Sequence, residues 1–129
     1  MEEEEDPTTV LIVDDDDVLR ESMAKALDKN GFTTLEAGDA FEARKALMEA
    51  SAGVDLIIMD LVLPGLEGRE AANLLLARAP EVRILFTSGY TSQESARMGR
   101  LPPGHAFIRK PFSLPELIEA VRAALSVAE

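Results

Sequence analysis

Two periods of hydrophobic patterning alternate along this chain. Val10–Val13 is a short apolar run, β-branched at three of four positions, and predicts a strand buried on both faces. Asp14–Asp17 follow it. Leu19, Met23, Ala26 and Leu27 then recur at the spacing of one helix face, and Gly31 stands where a C-terminal cap belongs. Phe32–Glu36 predicts a second, weaker strand. Asp39 with Glu42 is a capping pattern, and Ala43, Ala46, Leu47 and Ala50 form the stripe of a second helix. Leu56–Met59 predicts a third strand ending at Asp60. In LVLPGLEG, Pro64, Gly65 and Gly68 mark a structured loop, and Ala71, Leu74 and Leu75 indicate a third helix. Arg83–Thr87 predicts a fourth strand running into Ser88-Gly89-Tyr90. Thr91–Gly99 reads as a short, weak helix, broken by Pro102-Pro103-Gly104. Ala106–Arg109 predicts a fifth strand, followed by Lys110-Pro111. Ser113–Glu116 is a capping box, after which Leu114, Leu117, Ile118, Val121 and Leu125 give the cleanest helical stripe.

The order is strand then helix, five times. It predicts an α/β fold with a parallel sheet covered on both faces, and right-handed crossovers leave few topologies for it. Neither a solenoid repeat nor an internal domain boundary interrupts the pattern. The chain of 129 residues is long enough for one domain with its own core. Residues 1–8 read as an acidic disordered tail and residues 9–127 as the domain.

Charge and composition narrow the function classes. A formal net charge of −11 opposes direct contact with nucleic acid or an anionic membrane and favours cations and basic partner surfaces. With no cysteine in the chain, thiol nucleophiles, disulfides and thiolate metal sites are ruled out, which fits a cytoplasmic setting. No apolar run approaches the roughly 20 residues of a membrane helix, and MEEEEDPTT has acid where a signal peptide needs a basic start.

Candidate chemistry follows from the topology. Ligands of open α/β sheets bind outside the carboxyl ends of the strands. The polar residues there are Asp14 and Asp15 after strand one, Asp60 after strand three, Ser88 after strand four and Lys110 after strand five. Three neighbouring carboxylates do not all ionise cheaply without a cation, and a hard divalent ion such as Mg²⁺ suits oxygen ligands. An ammonium and a hydroxyl beside such an ion are parts for phosphoryl transfer. No glycine-rich phosphate loop is present, so a bound nucleotide is not expected. Asp16 and Asp17 read as helix N-terminal acids, and His105 as a surface residue.

Four segments, VLIVDDDD, DLIIMDLVLPGLEG, ILFTSGY and FIRKPFSLPEL, together resemble the signature segments of a response-regulator receiver domain, in the family's order from about Val10 to Leu125. The resemblance implies a doubly wound, flavodoxin-like (βα)5 fold with strand order 2-1-3-4-5. It implies a signalling module rather than a turnover enzyme, one that catalyses only its own phosphorylation and dephosphorylation. Asp60 resembles the phosphoacceptor that takes a phosphoryl group from a phosphohistidine. Asp15 resembles the direct ligand of Mg²⁺ (or Mn²⁺), with Asp14 acting through water or as a further ligand and the Val62 backbone carbonyl completing the protein's share with Asp60. Ser88 and Lys110 resemble the groups that receive the phosphoryl oxygens, Phe107 the switch aromatic, and Lys110–Pro111 the family's cis bond. The implied partners are a histidine kinase or histidine phosphotransfer protein, and a downstream protein on the face of helix four, strand five and helix five. The family also allows a homodimer on phosphorylation.

The chain departs from the pattern in three places. Phe107 lacks a hydroxyl. Val62 and Tyr90, beside the acceptor and switch positions, offer no amide or carboxylate to hold an attacking water, so slow self-dephosphorylation is expected. The fourth helix is weak, as in receivers of hybrid histidine kinases. Two other readings exist. Asp14-x-Asp16 fits a haloacid-dehalogenase-like phosphatase, which needs further acids where Ser88-Gly89 stands; a pseudo-receiver would only bind partners.

Overall fold

The computed structural model describes residues 8–50, 53–63, 66–89 and 105–126. The predicted fourth helix, Tyr90, Pro64, Gly65 and the tail residues 1–7 lie outside them. Five strands form one parallel sheet: β1 (Thr9–Val13), β2 (Thr33–Ala37), β3 (Leu56–Asp60), β6 (Arg83–Ser88) and β7 (Ala106–Arg109). Their spatial order is β2-β1-β3-β6-β7, which is the 2-1-3-4-5 order of a flavodoxin-like sheet.

Four described helices cover the sheet: α1 (Asp17–Lys29), α2 (Ala40–Glu49), α3 (Gly68–Arg78) and α4 (Leu114–Ser126). The last of these is the fifth helix of the sequence reading. Alternate strand residues enter two separate cores. Leu11, Val13, Ile57, Met59, Ile84 and Phe86 pack under α2 and α3. Val10, Ile12, Leu56, Ile58 and Leu85 pack under α1 and α4. Each fully buried Leu or Ile contributes on the order of 2 kcal/mol. Because both faces are covered, the middle of each central strand is apolar; β3 is buried throughout, with Leu56–Met59 apolar and Asp60 entering only at its carboxyl end.

Local signals set the helix ends. Asp16 is the N-cap of α1, its side chain accepting from the Leu19 N–H at 3.1 Å. Gly31 takes φ +91°, and the Gly31 and Phe32 N–H groups return to the carbonyls of Asp28 and Leu27, closing α1 in a Schellman motif. Asp39 caps α2 by accepting from Glu42 N–H at 2.8 Å, while Glu42 reaches back to Gly38 N–H at 2.7 Å. Ser113 and Glu116 exchange both bonds of a capping box, at 2.8 and 3.1 Å.

The structure refines one expectation and corrects others. The loop after Asp60 contains a short antiparallel pair, β4 (Val62–Leu63) with β5 (Leu66–Glu67); two-residue strands are too short to show a period. His105 is not a free surface residue. It is half-buried, with its ring edge on Phe86 at a centroid distance of 5.5 Å, and burial pulls its pKa below the ordinary 6.5. Elsewhere the strand ends shift by one residue, and Ala50 is the C-cap of α2 rather than part of its stripe.

Candidate functional site

The carboxyl edge of the sheet gathers Asp14 from just beyond β1, Asp60 from β3, Ser88 from β6 and Lys110 from just beyond β7. Asp14 is 1% exposed and Asp60 9%. The Lys110 ammonium bridges them, 2.9 Å from Asp14 Oδ2 and 2.7 Å from Asp60 Oδ2. Their other oxygens are occupied by the chain itself. Asp14 Oδ1 accepts from Asp16 N–H at 2.8 Å, and Asp60 Oδ1 from Val62 N–H at 2.9 Å. Asp15 is exposed, and its carboxylate has no hydrogen-bond partner among the described residues.

Carboxylate oxygens of Asp14, Asp15 and Asp60 all lie within 4.8 Å of one another. With Lys110 as the one ammonium bonded to them, three ionised carboxylates leave an excess of two negative charges. Burial is the largest influence on Asp60 and raises its pKa, with the Asp14 charge adding to it. The bonds from Lys110 and the Val62 N–H offset only part of this. Burial lowers the pKa of Lys110, but the bonds to Asp60 and Asp14 outweigh it, so the ammonium stays charged. The edge is thus built to take additional positive charge, and an all-oxygen donor set fits a hard divalent ion.

Ser88 is buried at the end of β6, and its backbone carbonyl accepts from Lys110 N–H at 2.7 Å, tying the lysine's backbone to β6. Lys110–Pro111 is cis. Phe107 is partly buried and packs against the core under α2 and α3. The Val62 side chain is 50% exposed.

The family model of the response regulator receiver domain matches residues 10–122. The chain belongs to this family. The receiver domain is 33% identical over 107 residues to the sensor kinase CckA of Brucella abortus, which covers 83% of this chain and 11% of that protein. It is 34% identical over 107 residues to the response regulator MprA of Mycobacterium ulcerans, covering 83% of this chain and 45% of MprA. Among solved structures, the receiver domain of the hybrid histidine kinase CckA superposes with a TM-score of 0.76 at 29% identity, covering 92% of this chain and 99% of that one. The chemotaxis response regulator CheY4 of Vibrio cholerae gives 0.82 at 25% identity, covering 93% and 100%. The chain spans less than half the length of these curated relatives. No helix among the described residues is long and apolar enough to cross a membrane.

The receiver domain therefore brings together four of the five polar positions expected at one edge in direct or near contact, with Ser88 on the same edge. The four aspartates divide in function: Asp14 holds Lys110, Asp15 faces out, Asp16 caps α1, and Asp17 pairs with Arg20 at 2.7 Å. Asp14 is almost wholly buried, and β6 ends on Ser88 where the phosphatase reading needs further acids, which removes the support for that reading. Arg20 is the residue the sequence reading missed. An acid and a base three apart were legible as a helix pair, but the contacts Arg20 makes outside its own helix were not.

Proposed function

We propose that this receiver domain accepts a phosphoryl group on Asp60 from a phosphohistidine of a histidine kinase or histidine phosphotransfer protein. One observation supports it above the others: Asp60, a largely buried carboxylate, shares a lysine with Asp14 beside a partner-free, exposed Asp15, in a cluster with excess negative charge. In the transfer, an Asp60 oxygen forms the new P–O bond as the P–N bond breaks, and the bonding pair returns to the imidazole nitrogen. Asp15, Asp60 and the Val62 carbonyl are the residues we assign to hold Mg²⁺ or Mn²⁺, with Asp14 acting through water. When bound, such an ion neutralises charge developing on the phosphoryl oxygens.

Lys110 is held by the two carboxylates and needs only to turn from one oxygen to another to meet the phosphoryl group. Ser88 supplies a hydroxyl from β6. The added charge at Asp60 draws both groups in and biases a two-state equilibrium, with Phe107 repacking as part of it. The output surface is assigned to the fifth strand of the sheet (β7), α4 and the segment before them, and the domain to residues 9–127. A cytoplasmic setting accords with this chemistry.

The test is intact-protein mass after incubation with Mg²⁺ and acetyl phosphate or phosphoramidate. One phosphate adduct is expected, absent with EDTA and absent in Asp60→Asn. Failure of every donor to give an adduct would favour a pseudo-receiver, and persistence of the adduct in Asp60→Asn would place the acceptor elsewhere.

A further inference from the structure

We propose that Arg20 is a positioning residue for the metal-holding acids: it fixes the Asp14–Asp15 peptide and thereby aims Asp15. The inference rests on the reading of Asp15 as a metal ligand.

Three bonds from one guanidinium carry the argument. Arg20 Nη1 donates to the backbone carbonyl of Asp14 at 2.6 Å, Nε to Glu36 Oε1 at 3.0 Å, and Nη2 to Asp17 Oδ1 at 2.7 Å. The side chain is only 14% exposed. The planar fork therefore spans three pieces of chain at once: the end of β1, the edge strand β2 and the first turn of α1. A guanidinium can do this because its donors are rigidly disposed; an ammonium on a flexible stem cannot reproduce the set.

The carbonyl it grips matters most. The Asp14 carbonyl belongs to the peptide that leads into Asp15, so holding it sets the direction in which Asp15 leaves the strand. Asp14 is fixed from its other side as well, by its N–H on the Ala37 carbonyl at 3.1 Å and its carboxylate on Lys110 and Asp16 N–H. Asp15 has no side-chain partner among the described residues to orient it. Its aim is therefore a backbone property: Asp14 Oδ1 holds the Asp16 N–H that follows it, and Arg20 clamps the peptide that precedes it. Groups that orient a ligand without touching the ion commonly contribute 10- to 100-fold to metal affinity.

The experiment measures Mn²⁺ binding to the full chain by the EPR signal of free Mn²⁺, with unfolding curves in EDTA on the same samples. In Arg20→Met, which keeps an apolar stem, the Mn²⁺ dissociation constant should rise about tenfold. Saturating Mn²⁺ should then restore the acetyl phosphate reaction to nearly the wild-type rate, a split between affinity and rate. Glu36→Gln keeps the bond to Asp14 and should stay within about twofold of wild type. If Arg20→Met does not fold, Arg20→Lys decides: a raised dissociation constant supports the proposal and a wild-type value overturns it. Lower stability in Arg20→Met with unchanged Mn²⁺ affinity would make Arg20 merely structural, and an equal loss in Glu36→Gln would assign the effect to the charge cluster; either overturns it. Wild-type protein that binds no Mn²⁺ would instead remove the reading of Asp15 on which it rests.

Discussion

Lys110 Nζ lies 2.7 Å from Asp60 Oδ2 and 2.9 Å from Asp14 Oδ2, so one ammonium serves two buried carboxylates from different strands. Removing it strands two like charges in a low-dielectric pocket. Lys110→Met should lower stability by about 3 kcal/mol in EDTA. Added Mg²⁺ should recover part of that loss, because a bound cation replaces the missing charge. Urea unfolding with and without Mg²⁺ measures this; a loss of the same size in both would argue against cation binding among these acids.

Neighbouring aspartates should differ sharply in sensitivity. Asp15→Ala removes the partner-free carboxylate and should abolish Mg²⁺-dependent phosphorylation while leaving stability nearly unchanged. Asp17 is 76% exposed and pairs with an arginine that has two other acceptors, so Asp17→Ala should cost about 0.5 kcal/mol and leave phosphorylation intact. Adduct formation by mass and urea midpoints separate the two outcomes. Equal effects on chemistry would show the division of the run to be wrong.

On the proposed reading, the phosphorylated form should be long-lived. Val62 stands two residues after Asp60 with its side chain half exposed and carries no group to orient water. Val62→Asn combined with Tyr90→Glu should shorten the lifetime of the adduct by roughly tenfold, less than the ~100-fold or more of a fully positioned acid–base group. The decay is followed by mass after donor removal, and an unchanged lifetime would refute the idea.

His105 makes stability depend on pH. Its folded pKa is lowered by burial, so the unfolded state binds the extra proton first. The stabilising contribution is present above the unfolded value near 6.5 and is lost as pH falls through the folded value. Melting temperature should therefore drop between about pH 7 and pH 5, and His105→Gln should flatten that slope. An identical slope in the variant would show that other groups carry it.

Thr87 Oγ1 is fully buried on β6 and has no hydrogen-bond partner among the described residues. A desolvated hydroxyl without a partner costs about 1 kcal/mol or more. The near-isosteric Thr87→Val should stabilise the domain by about 1 kcal/mol, read from the urea midpoint. A destabilised variant would mean that the hydroxyl is paired.

Much of the fold was legible because its elements carry strong periods. The apolar runs Val10–Val13 and Leu56–Met59 are too short for helices and read as strands with two covered faces, and the 3.6-residue stripe of α4 holds from Leu117 onward, with Leu114 exposed. Gly31, Asp39 and Ser113 marked helix ends because backbone donors and acceptors there need partners whatever the tertiary structure. The β4–β5 pair escaped because a two-residue strand has no period to detect. His105 was misread because the flanking Pro-Pro-Gly suggested a surface turn, whereas strand pairing across the sheet brings its ring onto Phe86.

By itself the sequence determined the order of elements, the strand that ends at each polar residue, and hence the edge where charge collects. Those are local matters, set by side-chain period, capping and the direction of parallel strands. Only the tertiary structure decided how that charge is shared. Lys110 meets Asp14 across 96 positions of chain, and Arg20 ties β2 to the turn after β1 across 16. Such pairings depend on strand order, side-chain reach and the burial of each carboxylate. No local pattern encodes them, because the energy that selects them exists only once the sheet has closed around the acids.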